Sequence, residues 1–281
     1  MKKLLAITAL SAALFFGQTA AAEEKAAEEV KPSHVEMVLV LDESGSMSDL
    51  TRDTIGGFNS MIEKEKKLDV DAHVTTVLFN DQYKMLYNRR ELKDVRKMTD
   101  KDYTPGGMTA LLDAVGRTIH KMDMVSGIHR KDKGNKVLFV IITDGEENDS
   151  KEYTYADVKK LIKDRQENAG WEFIFLGANI DAAAAAENLG IDRDRAVKYK
   201  NTGSGVRANF KAVAELSDSL AKSGRVSDEW KSQVEEDTDE NVMVAPADTK
   251  EHTAPSAKPV KKHLVSKVRK AKYCLLYTSP S

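Results

Sequence analysis

Val35-Glu36-Met37-Val38-Leu39-Val40-Leu41-Asp42-Glu43-Ser44-Gly45-Ser46 decides the fold. A nearly unbroken apolar run of this length, rich in branched side chains, is the pattern of a strand covered on both faces, as in a parallel sheet. It ends abruptly in a carboxylate and then in serine and glycine, so the chain turns at the rim of that sheet. A second run, Val137-Leu138-Phe139-Val140-Ile141-Ile142, ends the same way in Thr143-Asp144-Gly145. Between them, Pro105-Gly106-Gly107-Met108-Thr109 is a glycine turn that precedes a helical pattern. Asp42, Ser44, Ser46, Thr109 and Asp144 are the candidate site. They offer only oxygen, two carboxylates and three hydroxyls, a donor set suited to a hard, octahedral divalent cation and not to a soft one. Mg²⁺ is the first choice, with Mn²⁺ and Ca²⁺ as the alternatives.

Outward from these runs the chain alternates strand and helix. Strand patterns cover Val35–Asp42, Ala72–Phe79, Tyr83–Tyr87, Lys136–Thr143, Glu172–Leu176 and Ala196–Lys200. Helical patterns cover Leu50–Lys67, Thr109–Met122, Tyr155–Asn168, Ala182–Leu189 and Val206–Ala221. The expected fold is therefore α/β, Rossmann-like and doubly wound: a six-stranded, mainly parallel sheet with helices on both faces. The hairpin around Asn80-Asp81 supplies one antiparallel edge strand. In such sheets ligands sit beyond the carboxyl ends of the strands, where Asp42 and Asp144 stand.

Asp42-x-Ser44-x-Ser46 with the distant Thr109 and Asp144 resembles the metal-ion-dependent adhesion site of the von Willebrand factor A domain, with all five positions intact. Asp53-Thr54-Ile55-Gly56-Gly57-Phe58-Asn59 and Trp171-Glu172-Phe173-Ile174-Phe175-Leu176-Gly177-Ala178-Asn179 are similar to phrases of the small, stand-alone bacterial members of that family. The resemblance implies that Ser44, Ser46 and Thr109 bind the metal directly, while Asp42 and Asp144 act through water and by orienting the hydroxyls. It implies a binding module, not an enzyme, whose protein partner completes the octahedron with a Glu or Asp carboxylate. The loops around Ser48–Asp49, Asp102–Met108 and Glu146–Ser150 would form the rim, which Glu146, Glu147 and Asp149 make acidic. Plainer roles exist for each residue alone: Ser46 or Ser48 as the cap of the helix near Leu50, Thr109 as the cap of the next helix, Asp144-Gly145 as an ordinary turn.

Two further readings belong to other classes. A Mg²⁺-dependent phosphohydrolase on a similar sheet would use Asp42 as nucleophile and need an acid two residues on, where Ser44 stands. A subunit of a metal-handling or stress-response assembly would keep the binding role and change the partner.

The 281 residues, 41% hydrophobic and 31% charged, describe an ordinary soluble globular domain with extensions. A net charge of −2 leaves no broad basic face, which argues against nucleic acid as a partner. The histidines at 34, 73, 120, 129, 252 and 263 show no metal-ligand spacing and are expected to be solvated or capping. Residues 1–22 read as a cleavable leader: Lys2-Lys3, an apolar stretch from Leu4 to Phe16, then Ala20-Ala21-Ala22 before Glu23. No cysteine stands directly after that stretch, so a lipid-modified N-terminus is not expected and the expected location is periplasmic or secreted. Residues 23–33 form a flexible lead-in, 34–223 the domain, and 224–273 a disordered charged tail whose basic part could touch anionic lipid. Cys274-Leu275-Leu276-Tyr277-Thr278-Ser279-Pro280-Ser281 reads as the translation of a sequencing adapter. It holds the chain's single cysteine, so disulfides and thiol chemistry are not expected.

Overall fold

Every residue of β1 (Val35–Asp42) is buried, because the strand lies between two parallel neighbours and under helices on both faces. A computed structural model describes residues 34–68, 70–124 and 135–235 of the chain. The expected leader, lead-in and adapter segment lie outside the described residues, as does the tail from 236 onward. Six strands form one sheet in the order β3-β2-β1-β4-β5-β6. β2 (Ala72–Phe79) and β4 (Lys136–Thr143) flank β1, and β5 (Glu172–Gly177) and β6 (Ala196–Lys198) extend the parallel side. β3 (Tyr83–Glu91) is the antiparallel edge. The doubly wound α/β fold expected from the sequence is the fold observed.

Alternation along β1 builds two cores. Val35, Met37, Leu39 and Leu41 pack toward α1 (Thr51–Lys67) and α5 (Gly203–Ser223). Val38 and Val40 pack toward α2 (Leu111–Asp123), α3 (Tyr155–Asp164) and α4 (Ala182–Leu189). Gly57 lets α1 and α5 close up, since a Cβ there would stand 2.5 Å from the ring of Phe210. No helix among the described residues is long and apolar enough to cross a membrane.

Several boundaries differ from the sequence reading. β3 runs on past Tyr87 to Glu91, with register shifts against β2 and Arg89 in the left-handed region at φ 45°. Such a bulge breaks the alternation that would have marked the strand. α3 ends at Asp164 and passes into a wider turn over Arg165–Ala169 that Gly170 terminates at positive φ. The disordered tail does not begin at 224. Residues Asp228–Lys231 form a helical turn, Ser232–Glu235 a short helix (α6), and Val226, Trp230 and Val234 are buried in the α1/α5 core. Three apolar anchors spaced four apart amid charge were enough to pin this segment, although its composition reads as solvated.

Two histidines also depart from expectation. His34 and His73 come from separate strands of sequence but meet side by side, with His73 Nδ1 2.8 Å from His34 Nε2. The parallel pairing that sets His73 opposite Glu36 brings them together, which spacing along the chain cannot reveal.

One buried carboxyl makes stability depend on pH. Glu65 on α1 is fully buried, and its Oε2 accepts a 2.8 Å hydrogen bond from Ser217 Oγ on α5. Burial raises its pKa to about 7, the Ser217 bond opposing and the Asp218 charge adding to the rise. The folded protein therefore holds a proton that the unfolded chain has lost between about pH 4.5 and 7, and stability falls as pH rises through that window. Glu65→Gln should flatten this dependence and gain about 2 kcal/mol at pH 8. Urea unfolding at pH 5 and pH 8 measures both effects; a variant with the wild-type slope would refute the assignment.

Candidate metal centre

β1 and β4 end side by side, so Asp42 meets the last residue of its neighbour. Thr143 Oγ1 donates to Asp42 Oδ2 at 2.6 Å, and the Ser44 amide donates to Asp42 Oδ1 at 2.7 Å. Both carboxylate oxygens of this buried residue are thereby engaged. Burial pushes the Asp42 carboxyl up, while the hydrogen bonds from Ser44 and Thr143 pull it down. Two fully buried tyrosines hold the strand ends from beneath: Tyr103 donates to the Asp42 carbonyl at 2.6 Å and Tyr199 to the Thr143 carbonyl at 3.2 Å. Their burial raises both phenols well above their ordinary range, so they remain protonated donors.

The hydroxyls converge above this base. Ser46 Oγ stands 3.1 Å from Ser44 Oγ and donates to Asp144 Oδ1 at 2.5 Å. Asp144 Oδ2 takes a further bond from Asn201 Nδ2 at 3.4 Å, and its carbonyl one from Asn179 Nδ2 at 3.2 Å. The space over Gly145 is shared: a Cβ there would lie 3.9 Å from both Ser46 Oγ and Thr109 Oγ1. Ser44, Thr109 and Asp144 are buried and Ser46 is exposed, so the cluster opens to solvent at Ser46. All five sequence-predicted residues therefore belong to one cluster.

Backbone contacts fix the loop that carries Thr109. The Gly106 amide donates to the Glu43 carbonyl at 2.9 Å, and the Gly45 amide to the Gly107 carbonyl at 3.2 Å. Gly107 adopts φ +76°, and a Cβ on it would collide with the Asp81 carboxylate at 2.0 Å. The Thr109 amide and carbonyl both pair with Asn148, at 2.9 and 3.0 Å. The plainer capping roles fail here. Ala110, not Thr109, occupies the cap position of α2, and the first amides of that helix are taken by Glu147 and Ser150 instead. Ser46 sits in a tight turn over Gly45–Leu50 and turns its hydroxyl to Asp144, and Ser48 bonds the Gly45 carbonyl within that turn.

Thr143, Tyr103, Tyr199, Asn148, Asn179, Asn201 and Glu43 were not legible as site residues. Their types are common in turns and cores, and only assembly makes them neighbours. The acidic rim also needs correction. Glu147 turns inward, accepting from the Leu112 amide at 3.0 Å and from the Asp149 and Ser150 amides, and so holds the start of α2. Asp149 pairs with Lys151, and Asp102 with Arg96. Glu146 stays exposed, beside a loop whose Met108 is half exposed.

The donor chemistry fits a hard cation. Neighbouring ligands on a Mg²⁺ octahedron with bonds near 2.1 Å stand about 3.0 Å apart, close to the 3.1 Å between the two serine hydroxyls. Neither sulfur nor imidazole lies among the five residues.

A doubly wound sheet with hydroxyls and carboxylates at the carboxyl ends of its central strands is the plan of the von Willebrand factor A class. Residues 34–196 match the model of the vWA-TerF-like family, described as the vWA found in the TerF C terminus, and the chain belongs to that family. Among solved structures, it is similar to the pilus adhesin SpaC of Lactobacillus rhamnosus GG in its open conformation, at 13% identity and TM-score 0.53. That match covers 69% of this chain and 31% of the adhesin, so the chain spans about a third of its relative's length. The vWF domain of the type V pili tip protein Mfa5 of Porphyromonas gingivalis is matched at 12% identity and TM-score 0.48, covering 70% of this chain and 99% of that one. The likeness to the adhesin concerns the fold alone. No curated protein sequence matches the chain.

Thr143→Val keeps the shape of the residue and removes the donor to Asp42 Oδ2, leaving a buried carboxylate oxygen without a partner. It should cost about 1–3 kcal/mol in urea unfolding, whereas Ser46→Ala, at an exposed hydroxyl, should cost less than about 1 kcal/mol. Equal losses for the two variants would contradict the roles assigned.

Proposed function

We propose that the chain is a divalent-cation-dependent protein-binding module that captures an acidic side chain of a partner. The observation that supports this reading is the convergence of three hydroxyls on one solvent-open point, with the Ser46 hydroxyl held by Asp144 and the backbones of Ser44 and Thr109 fixed by Asp42 and Asn148. Ser44, Ser46 and Thr109 would be the direct ligands. Asp42 would orient Ser44 from below and Asp144 would orient Ser46, their carboxylates held by Thr143 and Asn201. Neutral hydroxyls leave a bound divalent ion, Mg²⁺ first, under-neutralised, and the chemistry it supplies is an electrophilic position for one Glu or Asp carboxylate. The exposed Met108 and the pairing of Asp102 and Asp149 with basic side chains make the rim less repulsive to such a group than its composition suggests.

An enzymatic reading finds less support. A nucleophilic Asp42 would need a free oxygen facing solvent, yet both of its oxygens accept internal hydrogen bonds and the residue is 1% exposed. A role as one subunit of a metal-handling or stress-response assembly is a binding role too and would change only the partner. With residues 1–22 as a cleavable leader, the partner would be met in the periplasm or outside the cell.

Calorimetry with MgCl₂ should show binding to the wild type and at least a tenfold loss in Thr109→Ala and Asp42→Ala; equal affinity in all three proteins would remove the metal assignment. Capture of a partner from periplasmic extract should require Mg²⁺, reverse in chelator and disappear in Ser46→Ala with the thermal midpoint nearly unchanged. Capture that survives both treatments would put the partner elsewhere on the surface.

A further inference from the structure

At the opposite end of β1 the donor chemistry changes from oxygen to nitrogen. His34 precedes the strand, Glu36 lies on it, and His73 is the register partner of Glu36 on β2. Glu36 shares its face of the sheet with Val38, Val40 and Asp42, so six strand residues, about 20 Å, separate this cluster from the hydroxyl site. Glu36 is 1% exposed, whereas the side chains of His34 and His73 are 19% and 27% exposed. A carboxylate thus forms the floor, and two imidazoles form a solvent-reachable wall.

The three donor atoms form a compact triangle. His73 Nδ1 lies 2.8 Å from His34 Nε2, and each nitrogen lies 3.3 Å from Glu36 Oε1. A tetrahedral zinc ion with bonds of about 2.0–2.1 Å holds its ligand atoms about 3.3 Å apart. Two edges of the triangle already have that length and the third is short by about half an ångström. The triangle is also small enough that a point about 2.05 Å from all three corners exists, roughly 0.9 Å out of their plane. A tetrahedral ion seated on three protein ligands sits out of the plane in the same way, its fourth position facing away.

The surroundings orient these donors as metal ligands are usually oriented. His34 Nδ1 contacts Asp71 Oδ1 at 3.0 Å, which directs Nε2 into the cluster, the carboxylate–imidazole arrangement that fixes a ligand's tautomer. Arg89 Nη2 contacts His73 Nδ1 at 3.3 Å as a donor, so Nδ1 is the unprotonated nitrogen of that ring and has a lone pair to offer. Arg89 also holds Glu36 through Nε to Oε2 at 3.0 Å and Nη2 to Oε1 at 2.5 Å. The left-handed backbone of Arg89 at the β3 bulge aims it there, and its side chain is 31% exposed. Burial alone would raise the Glu36 carboxyl, but hydrogen bonds from His34 and Arg89 hold it near 2, so it is ionised at neutral pH.

We propose that His34 Nε2, His73 Nδ1 and Glu36 Oε1 form a second metal site, specific for a borderline-soft divalent ion, Zn²⁺ foremost, and independent of the hydroxyl site at the other end of the sheet. Ion-free, one proton on His34 Nε2 and the Arg89 Nη2–H fill the space. On binding, that proton leaves to water, Nη2 releases both Oε1 and the lone pair of His73 Nδ1, and Arg89 keeps Oε2 through Nε. Two nitrogens and one carboxylate with an open fourth position favour zinc over magnesium, whereas the all-oxygen hydroxyl cluster has the reverse preference. The fourth position would take water or a donor from a partner.

The test uses the full, untagged chain stripped of metal. Titration with Co²⁺ should produce the intense visible absorption of four-coordinate cobalt, and Zn²⁺ should displace it with one equivalent. His34→Gln and His73→Gln should each weaken zinc binding at least tenfold, and Ser46→Ala and Thr109→Ala should leave it unchanged. Circular dichroism checks that the histidine variants are folded. Should they not fold, zinc-edge X-ray absorption on the wild type decides the matter: two imidazoles with oxygen in the first coordination shell support the site, and an all-oxygen shell overturns it. Zinc affinity that survives His73→Gln, or that is lost in Thr109→Ala, also overturns it; the first result leaves the Mg²⁺ reading of the hydroxyl cluster untouched, and the second would place the zinc in that cluster instead.

Discussion

The hydrogen bond from Thr143 to the Asp42 carboxylate ties the ends of two parallel strands, and the rest of the crest depends on it. A carboxylate at the end of a buried strand is costly unless each oxygen has a donor. Asp42 obtains one donor from the adjacent strand and the other from the turn that follows, so a single buried group fixes both the strand register and the path of the chain beyond it. Ser44 and Ser46 stand where they do because that turn begins from an immobilised residue. The glycine turn before Thr109 then docks on the same segment through the Glu43 and Gly45 backbone groups.

This layering explains how exposed hydroxyls can be held firmly. The exposed Ser46 hydroxyl is backed by the buried Asp144, Asp144 is held in turn by Asn201, and the strand-end carbonyls beneath are held by the buried Tyr103 and Tyr199. Preorganisation of this kind matters more for weak neutral ligands than for carboxylates, since a hydroxyl out of place contributes little to holding a cation. The two ends of β1 also divide the chemistry between them. Oxygen donors cluster beyond its carboxyl end and imidazoles at its amino end, with a dry apolar stretch between.

Much of this was legible in the residues. The unbroken apolar runs ending in Asp42 and Asp144 identified the central strands, and the alternation of strand and helix identified the doubly wound sheet, because burial on both faces leaves a strong, local hydrophobic signature. That the five oxygen-bearing positions share one rim was legible as well, since each stands in a turn at a strand end or before a helix, and a doubly wound sheet gathers such turns at one edge. The bulge at Arg89 and the anchoring of Trp230 were not legible, because each depends on what lies opposite, which composition does not record.

The sequence by itself determined which side chains could serve the crest and on which strand ends they stand, for hydrophobic periodicity sets strand and face without reference to the remainder of the chain. Only the tertiary structure decided which groups support them and which charges remain at the rim. Glu147 turned from the rim toward the start of α2 because unpaired amides there lay within its reach, and that depends on a loop meeting a helix start 35 residues away. His34 and His73 likewise became neighbours only through the parallel register of β1 with β2. Pairing between strands is a contest of whole interfaces, and its outcome is written in no single stretch of sequence.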